Sequence, residues 1–301
     1  MSILSKEELK ITIVISTKDR VSELAKCLDS CFLLKGIFEI LVYDDGSLDG
    51  TYAFVKENYP SVSLYRGEKS IGLINARTKC ASLANGNILI SIDDDCVFQD
   101  SNTILEIIPF YDQENIAVVT IPCVDFFVDP NKVTQEGVGG LETICYTTQF
   151  RGCAHAIRKD IFLKIGGYFN NLVRQEEETE LGLRLWKEGY KIRVGNCSKP
   201  ILHYHSVIRN ENVISFYRSR NQFIVNYRLI PLFIFPVVSL KQMIQTFFYE
   251  IRNKRAVYFF NGLKAAIKEI IKGKIKREAL SYSDYLAYKK LRIKGKSIKY
   301  V

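Results

Sequence analysis

The stretch Gly72–Asp95, GLINARTKCASLANGNILISIDDD, decides the fold. Within it Leu73, Ala76, Cys80, Leu83 and Ala84 recur at helical spacing, so residues 72–85 read as a helix with one apolar face. Asn85-Gly86 closes that helix. Asn87 to Ile92 is then a short apolar run of strand type, and it breaks off in three aspartates, Asp93, Asp94 and Asp95. The same grammar recurs upstream. ITIVIS at 11–16 is a strand, the polar TKDR is a turn, and Val21, Leu24, Ala25, Leu28, Cys31 and Phe32 mark a helix over 21–34. FEILVY at 38–43 is a second strand that stops at Asp44-Asp45-Gly46-Ser47. A helix over 50–58 and a strand over 62–65 complete the series. Strand–helix repeated three times and followed by a fourth strand predicts a parallel sheet with right-handed crossovers and helices on both faces. Ligands of such sheets collect at the carboxyl ends of the strands. Asp19, Asp44/Asp45 and Asp93–Asp95 all fall on that rim.

Beyond residue 100 the pattern is less regular. It gives a helix near 101–110, a strand at 116–121, a loop over 129–140, β-structure within 143–157 and a short helix at 161–165. Gln175-Glu176-Glu177-Glu178-Thr179-Glu180 opens a helix over 181–188. Helices over 210–228 and 241–252 follow. From 254 to 272, Val257, Phe260, Leu263, Ile267, Ile270 and Ile271 recur at helical spacing beside Lys264, Lys268 and Lys272, which describes a basic amphipathic helix.

Composition bounds what the chain can be. Its 301 residues are 47% hydrophobic and 25% charged, which excludes bulk disorder and allows a large core. The net charge of +9 is unevenly spread. Residues 218–301 carry 19 Lys and Arg against 4 Asp and Glu, a balance of +15, and the first 217 residues stand at −6. An acidic body with a basic tail points to a segment that meets an anionic surface. The longest apolar run, Leu229–Leu240, is about a dozen residues with two prolines, below the ~18–20 that span a bilayer. It fits an interfacial segment. The eight cysteines include no Cys-x-x-Cys pair, and no leader-like segment opens the chain, so free thiols in a reducing, cytoplasmic setting are expected.

Three acidic constellations carry the chemistry. Adjacent carboxylates after a buried strand repel one another unless a cation or hydrogen bonds compensate, and a hard divalent ion with oxygen ligands suits Asp93-Asp94-Asp95. Asp44-Asp45-Gly46-Ser47-x-Asp49 is a strand-to-helix turn that also offers carboxylates to a base or ribose. Four acids within five positions at 176–180 exceed what a helix dipole explains, and their repulsion raises at least one pKa, as a general base requires.

Together these segments resemble the family 2 glycosyltransferases, over about residues 11–230. The resemblance rests on ITIVISTKDR, ILVYDDGSLDGT, GLINARTKCASLANGNILISIDDD, FRGCAHAIRKDIFLKIGGY and EETELGLRL in that order. It implies a GT-A fold: a Rossmann-like, nucleotide-binding mixed α/β sheet flanked by helices. It also implies a nucleotide-sugar donor, a UDP-sugar as the first expectation, and inverting transfer to an acceptor hydroxyl. By that resemblance Ser16, Thr17, Asp19 and Asp45 line the nucleotide pocket and Arg77 lies near the nucleotide. Asp94 binds ribose or metal, and Asp95 holds Mn²⁺ or Mg²⁺ on the diphosphate. Glu178 is the catalytic base, with Glu177 and Glu180 as alternatives. His205, taken before His203, is a further metal ligand. Ser16, Asp19, Thr78 and Glu178 stand where the family often has Pro, Asn, Asn and Asp.

The implied organisation is a catalytic domain over 1–228, its nucleotide half ending near 100, and a helical basic extension over 229–301. The expected partners are the donor, a saccharide or lipid-linked acceptor of cell-surface polysaccharide synthesis, and an anionic membrane surface, with the enzyme peripheral on the inner face of the cell membrane. A sugar nucleotidyltransferase is the competing reading, but it would place a glycine-rich loop after the first strand, where this chain has STKDR. A nucleic-acid binder would also account for the basic tail, though its lysines on an amphipathic helix suit lipid better than nucleic acid.

Overall fold

The computed structural model describes residues 9–126, 133–135, 141–142, 144–204, 210–293 and 298–299. Its first half alternates β1 (Ile11–Thr17), α1 (Val21–Phe32), β2 (Glu39–Asp44), α2 (Thr51–Asn58), β3 (Ser63–Arg66), α3 (Leu73–Leu83) and β4 (Ile88–Asp93). β1 pairs in parallel with β2 and β4, and β2 with β3. The side-chain period of two divides β1 between the two faces. Ile13 and Ile15 pack with Leu24 and Leu28 of α1, and Val14 packs with Ile74 and Cys80 of α3. The parallel, doubly covered sheet expected from the first hundred residues is therefore present.

The second half adds β5 (Cys96–Val97), α4 (Thr103–Ile107), β6 (Ile116–Thr120), β7 (Cys123–Asp125), β8 (Val133–Gln135), β9 (Cys145–Thr147), β10 (Ala154–Arg158), α5 (Lys159–Lys164), α6 (Glu177–Lys187), β11 (Lys191–Val194) and β12 (Ile201–His203). α7 (Glu211–Leu229), α8 (Phe235–Arg252), α9 (Ala256–Ile271), α10 (Tyr282–Ile293) and β13 (Ile298–Lys299) follow. The main sheet runs β13-β9-β11-β6-β10-β4-β1-β2-β3. β10 is antiparallel to both β4 and β6, so the complete sheet is mixed. A smaller sheet, β5-β12-β7-β8, stands beside the end of β4. Its strands are two or three residues long, too short for alternation to reveal them in the sequence.

Two element boundaries differ from the sequence reading. α8 begins at Phe235, six residues before the expected start, because Pro236 falls in its first turn, where a missing N–H costs nothing. α6 starts at Glu177, so Glu177, Glu178 and Glu180 of the acidic string lie inside the helix and Gln175 and Glu176 precede it. The tail joins the core: Ala266, Ile275, Leu280, Tyr285 and Tyr288 share one apolar cluster with Leu89, Leu181 and Ile224. α9 lies close against α7 at Gly262, where an added Cβ would stand 2.3 Å from the Phe216 carbonyl oxygen. Gly262→Val is expected to lower the unfolding free energy by about 1–3 kcal/mol, as overpacking does, and urea titration would register it. All eight cysteines are free thiols. Among the described residues no helix is long and apolar enough to cross a membrane.

Candidate active site

The site is assembled where β4 ends. Arg20, immediately after β1, bridges two of the three aspartates: Nη1 is 2.7 Å from Asp94 Oδ1 and Nη2 is 2.7 Å from Asp95 Oδ2. Thr17 donates its hydroxyl to Asp94 Oδ2 at 2.8 Å. Burial and the neighbouring Asp95 charge push the Asp94 carboxyl up to about 7, against the opposing pull of Arg20 and Thr17. Asp95 is also buried, yet His203 and Arg20 hold it below the ordinary carboxylate range.

The small second sheet supplies the other side. β12 pairs with β5 and β7, which sets His203 opposite Cys96 and Asp125. The ring nitrogen Nε2 of His203 is 3.2 Å from Asp95 Oδ1 and 3.9 Å from Asp93 Oδ2. Nδ1 is 2.8 Å from Asp125 Oδ1. Burial opposes protonation of this imidazole, and the flanking carboxylates of Asp125 and Asp95 outweigh it and raise its pKa; a cation among them would displace the Nε2 proton. Donor atoms of Asp93, Asp95 and His203 all lie within 4.8 Å of one another. Among the described residues Asp95 Oδ1 is buried without a hydrogen bond. Two carboxylates and one imidazole, with an unsatisfied oxygen among them, fit a Mn²⁺- or Mg²⁺-type ion. Asp125 then has the place of an outer partner that fixes the ring's tautomer. Asp125→Asn is expected to weaken Mn²⁺ binding about 10- to 100-fold, measurable by titration calorimetry; wild-type affinity would show that the contact does not orient the ligand.

α6 forms the opposite wall. The chain reaches it through a constrained loop: Val173, Gln175 and Glu176 have φ of 63°, 67° and 69°, a region that non-glycine residues rarely occupy. Asn221 of α7 holds this loop, with Nδ2 at 2.7, 2.5 and 2.9 Å from the carbonyls of Leu172, Arg174 and Gln175. Its neighbour Arg220 is paired with Glu269 of α9 at 2.6 Å. The three candidate bases then separate. Glu180 is fully buried and held by Arg184 at 2.6 Å and Arg228 at 3.2 Å. Glu177 is buried against Arg77, with Oε1 3.3 Å from Nη1. Glu178 alone is partly exposed; its Oε1 accepts the Gly152 N–H at 2.9 Å. Desolvation and the Glu177 charge, partly offset by Arg77, push Glu178 up to about 8.

Arg77 joins the two walls. This buried guanidinium pairs with Asp93 through Nη2 and with Glu177 through Nη1. A Cβ at position 152 would stand 2.5 Å from Glu178 Oε1 and 2.6 Å from Arg77 Nη1, so the glycine is what lets both side chains meet there.

The remaining expected residues are on the rim, but not all point into one pocket. Ser16 and Thr17 end β1 and are buried. Asp19 has a φ of 53° and accepts the Leu48 N–H at 2.6 Å. Asp45 accepts the Ile71 N–H at 2.7 Å, the Gly72 N–H at 2.9 Å and the Ser70 hydroxyl at 2.6 Å, so its carboxylate builds the turn that starts α3. Asp94 faces Thr17 and Arg20, and Asp93 lies nearer His203. His205 lies outside the described residues. Among the described residues the histidine at the aspartates is His203, the one the sequence reading placed second. Arg20, Asp125 and Gly152 were not singled out in the sequence, and Asp93 was read as part of the acidic triplet without a role of its own. Arg20 had a signal, a cation following Asp19 on the ligand rim. Asp125 had none, because three-residue strands bring it to His203 from 78 positions away.

The profile of glycosyl transferase family 2 matches residues 12–166, half of the chain. The chain belongs to this family and is a transferase enzyme. Among solved structures it is similar to the mannosyltransferase PcManGT from Pyrobaculum calidifontis in complex with GDP-Man and Mn²⁺, with a TM-score of 0.58 and 16% identity over 95% of this chain and 83% of that one. It is similar to GalNAc-T7 with UDP, GalNAc and Mn²⁺, with a TM-score of 0.62 and 17% identity over 89% of this chain and 58% of that one. It is also similar to residues 1–349 of S. aureus TarS in complex with UDP-GlcNAc, with a TM-score of 0.57 and 15% identity over 72% of this chain and 66% of that one. At these identities the likeness is one of fold, and that fold is GT-A. No curated protein sequence matches the chain.

Proposed function

We propose that this chain moves a sugar from a nucleotide-sugar donor, a UDP-sugar as the first candidate, to an acceptor hydroxyl with inversion of the anomeric centre. The observation that supports this best is the cluster of Asp93, Asp95 and His203, tied through Arg77 to Glu177 at the start of α6, beside which Glu178 accepts the Gly152 N–H. Asp93, Asp95 and His203 are the residues to hold Mn²⁺ or Mg²⁺; such an ion, when bound, supplies charge neutralisation to the departing diphosphate.

The protein's own groups do the rest. Arg20 and Arg77 place two cations beside the aspartates, suited to donor phosphate oxygens. Ser16, Thr17, Asp19 and Asp45 border the nucleotide side, with Asp19 and Asp45 acting through the turns they hold. Glu178 removes the proton of the acceptor hydroxyl, a poor nucleophile until it is deprotonated. A single base acting on the acceptor oxygen, with no covalent sugar–enzyme intermediate, is single displacement and hence inversion. The acceptor class that suits the family resemblance is a saccharide, free or lipid-linked, in cell-surface polysaccharide synthesis.

The test is a panel of nucleotide sugars with Mn²⁺, reading release of nucleoside diphosphate and the anomeric configuration of the product by NMR. Inverted product from one donor is expected. Release of pyrophosphate from a sugar phosphate and a nucleoside triphosphate would replace this reading with nucleotidyl transfer.

A further inference from the structure

α8 is built inside out. Its buried stripe is Ser239, Met243, Thr246 and Glu250, polar at three of four positions. Those groups are consumed by hydrogen bonds to α7. Asn226 donates to Ser239 at 3.3 Å and to Gln242 at 2.6 Å. Thr246 donates to Gln222 at 2.9 Å. Glu250 accepts from Ser215 and Arg218, each at 2.7 Å. The opposite stripe is Val237, Leu240, Ile244, Phe248 and Ile251, spaced three, four, four and three residues apart, and every one is exposed. A helix in a water-soluble fold normally shows the reverse arrangement.

α9 continues this surface. Phe259, Gly262 and Ala266 face α7, whereas Val257, Phe260, Ile267 and Ile271 are exposed, Ile271 at 79%. Phe247 links the two helices, with ring centroids 5.5 Å from both Phe259 and Phe260. Leu232 and Phe233, at 64% and 68% exposure, extend the patch from the turn before α8. Exposed apolar patches of this extent mark an interaction site.

Charge selects the occupant. Lys241, Arg252, Lys254, Lys264, Lys268 and Lys272 are exposed on the same two helices or the turn between them. The segment 232–272 contains only two acids, Glu250 and Glu269, and both are engaged by arginines, Glu250 by Arg218 and Arg255 and Glu269 by Arg220. A second copy of this face would set lysine against lysine. An anionic bilayer would accept the apolar stripe among its acyl chains and the ammonium groups among its phosphates. We propose that the α8–α9 face is a docking surface for anionic phospholipid, through which the enzyme lies on a membrane without crossing it. This places the contact on α8 and α9 together, not on the 254–272 helix alone. It does not depend on which donor or acceptor the enzyme uses.

Flotation of the full chain with vesicles tests it. One set is phosphatidylcholine alone; the other contains phosphatidylglycerol at about a third of the lipid. Partitioning is expected to be about tenfold or more stronger on the anionic vesicles and to fall as salt rises. The double variant Leu240→Glu with Phe248→Glu is expected to stay in solution with unchanged circular dichroism and melting temperature. Lys264→Gln with Lys268→Gln and Lys272→Gln, which leaves the apolar stripe intact, is expected to lose most of the anionic preference and so tests the surface even if the first variant folds poorly. A wild-type chain that ignores both kinds of vesicle, or that binds both equally, would overturn the proposal. So would a dimer in sedimentation that the glutamate variant abolishes while vesicle binding is absent.

Discussion

Asp95→Asn is expected to lower sugar transfer about 100- to 1000-fold and to raise the Mn²⁺ concentration needed for half-maximal activity. Two oxygens of Asp95 do separate things. Oδ2 is tied to Arg20, and Oδ1 is the buried oxygen that faces His203 without a hydrogen bond among the described residues. Asparagine keeps the shape and removes the charge. The site then holds Asp93 and His203 beside a carboxamide, while Arg20 keeps its positive charge and its contact with Asp94. A cation is thereby favoured less and repelled as before. Titrating Mn²⁺ against the variant at saturating donor reads this directly. Unchanged half-saturation would show that Asp95 is not a ligand.

The second large effect is at Glu178. Glu178→Gln is expected to reduce turnover about 100- to 10,000-fold while leaving donor binding intact, since the amide still accepts the Gly152 N–H but cannot take a proton. The pH profile carries an independent signature. A carboxyl raised to about 8 is mostly protonated at neutral pH and becomes an active base only as it ionises. Wild-type turnover is therefore expected to climb between about pH 7 and 9, with half its plateau near pH 8, and the residual turnover of the variant to lack this rise. A variant with wild-type turnover would move the role to Glu177, whose carboxyl is also raised by burial but is held by Arg77.

The parallel half of the sheet was legible in the sequence because its signals are local and long. ITIVIS, FEILVY and NILISI are apolar runs that end in polar rim residues, and the helices between them have clear apolar faces. The antiparallel direction of β10 was not, since pairing direction leaves no periodicity; only β-structure within 143–157 could be expected. Three of the four central site elements could be read: the aspartates, Arg77 and the acidic start of α6. The place of His203 at the aspartates could not be read, because it is set by non-local pairing. It ends a three-residue strand, and the residues opposite it, Cys96 and Asp125, belong to two other short strands distant in sequence. Asn221 shows the same limit. Nothing in the residues around it on α7 signals that it holds three carbonyls of the strained loop before α6. The basic tail was legible as an amphipathic helix, but the inverted polarity of α8 emerges only once α7 is seen to cover its polar stripe.

Chelation tests the central claim most directly. With the donor that scores in the nucleotide-sugar panel, release of nucleoside diphosphate is followed before and after EDTA treatment and after adding back Mn²⁺ or Mg²⁺. Loss of transfer on chelation and its recovery with the ion, in wild type but not in Asp95→Asn, is the expected result. Full transfer in the presence of EDTA would contradict a cation held by Asp93, Asp95 and His203 at the heart of the reaction.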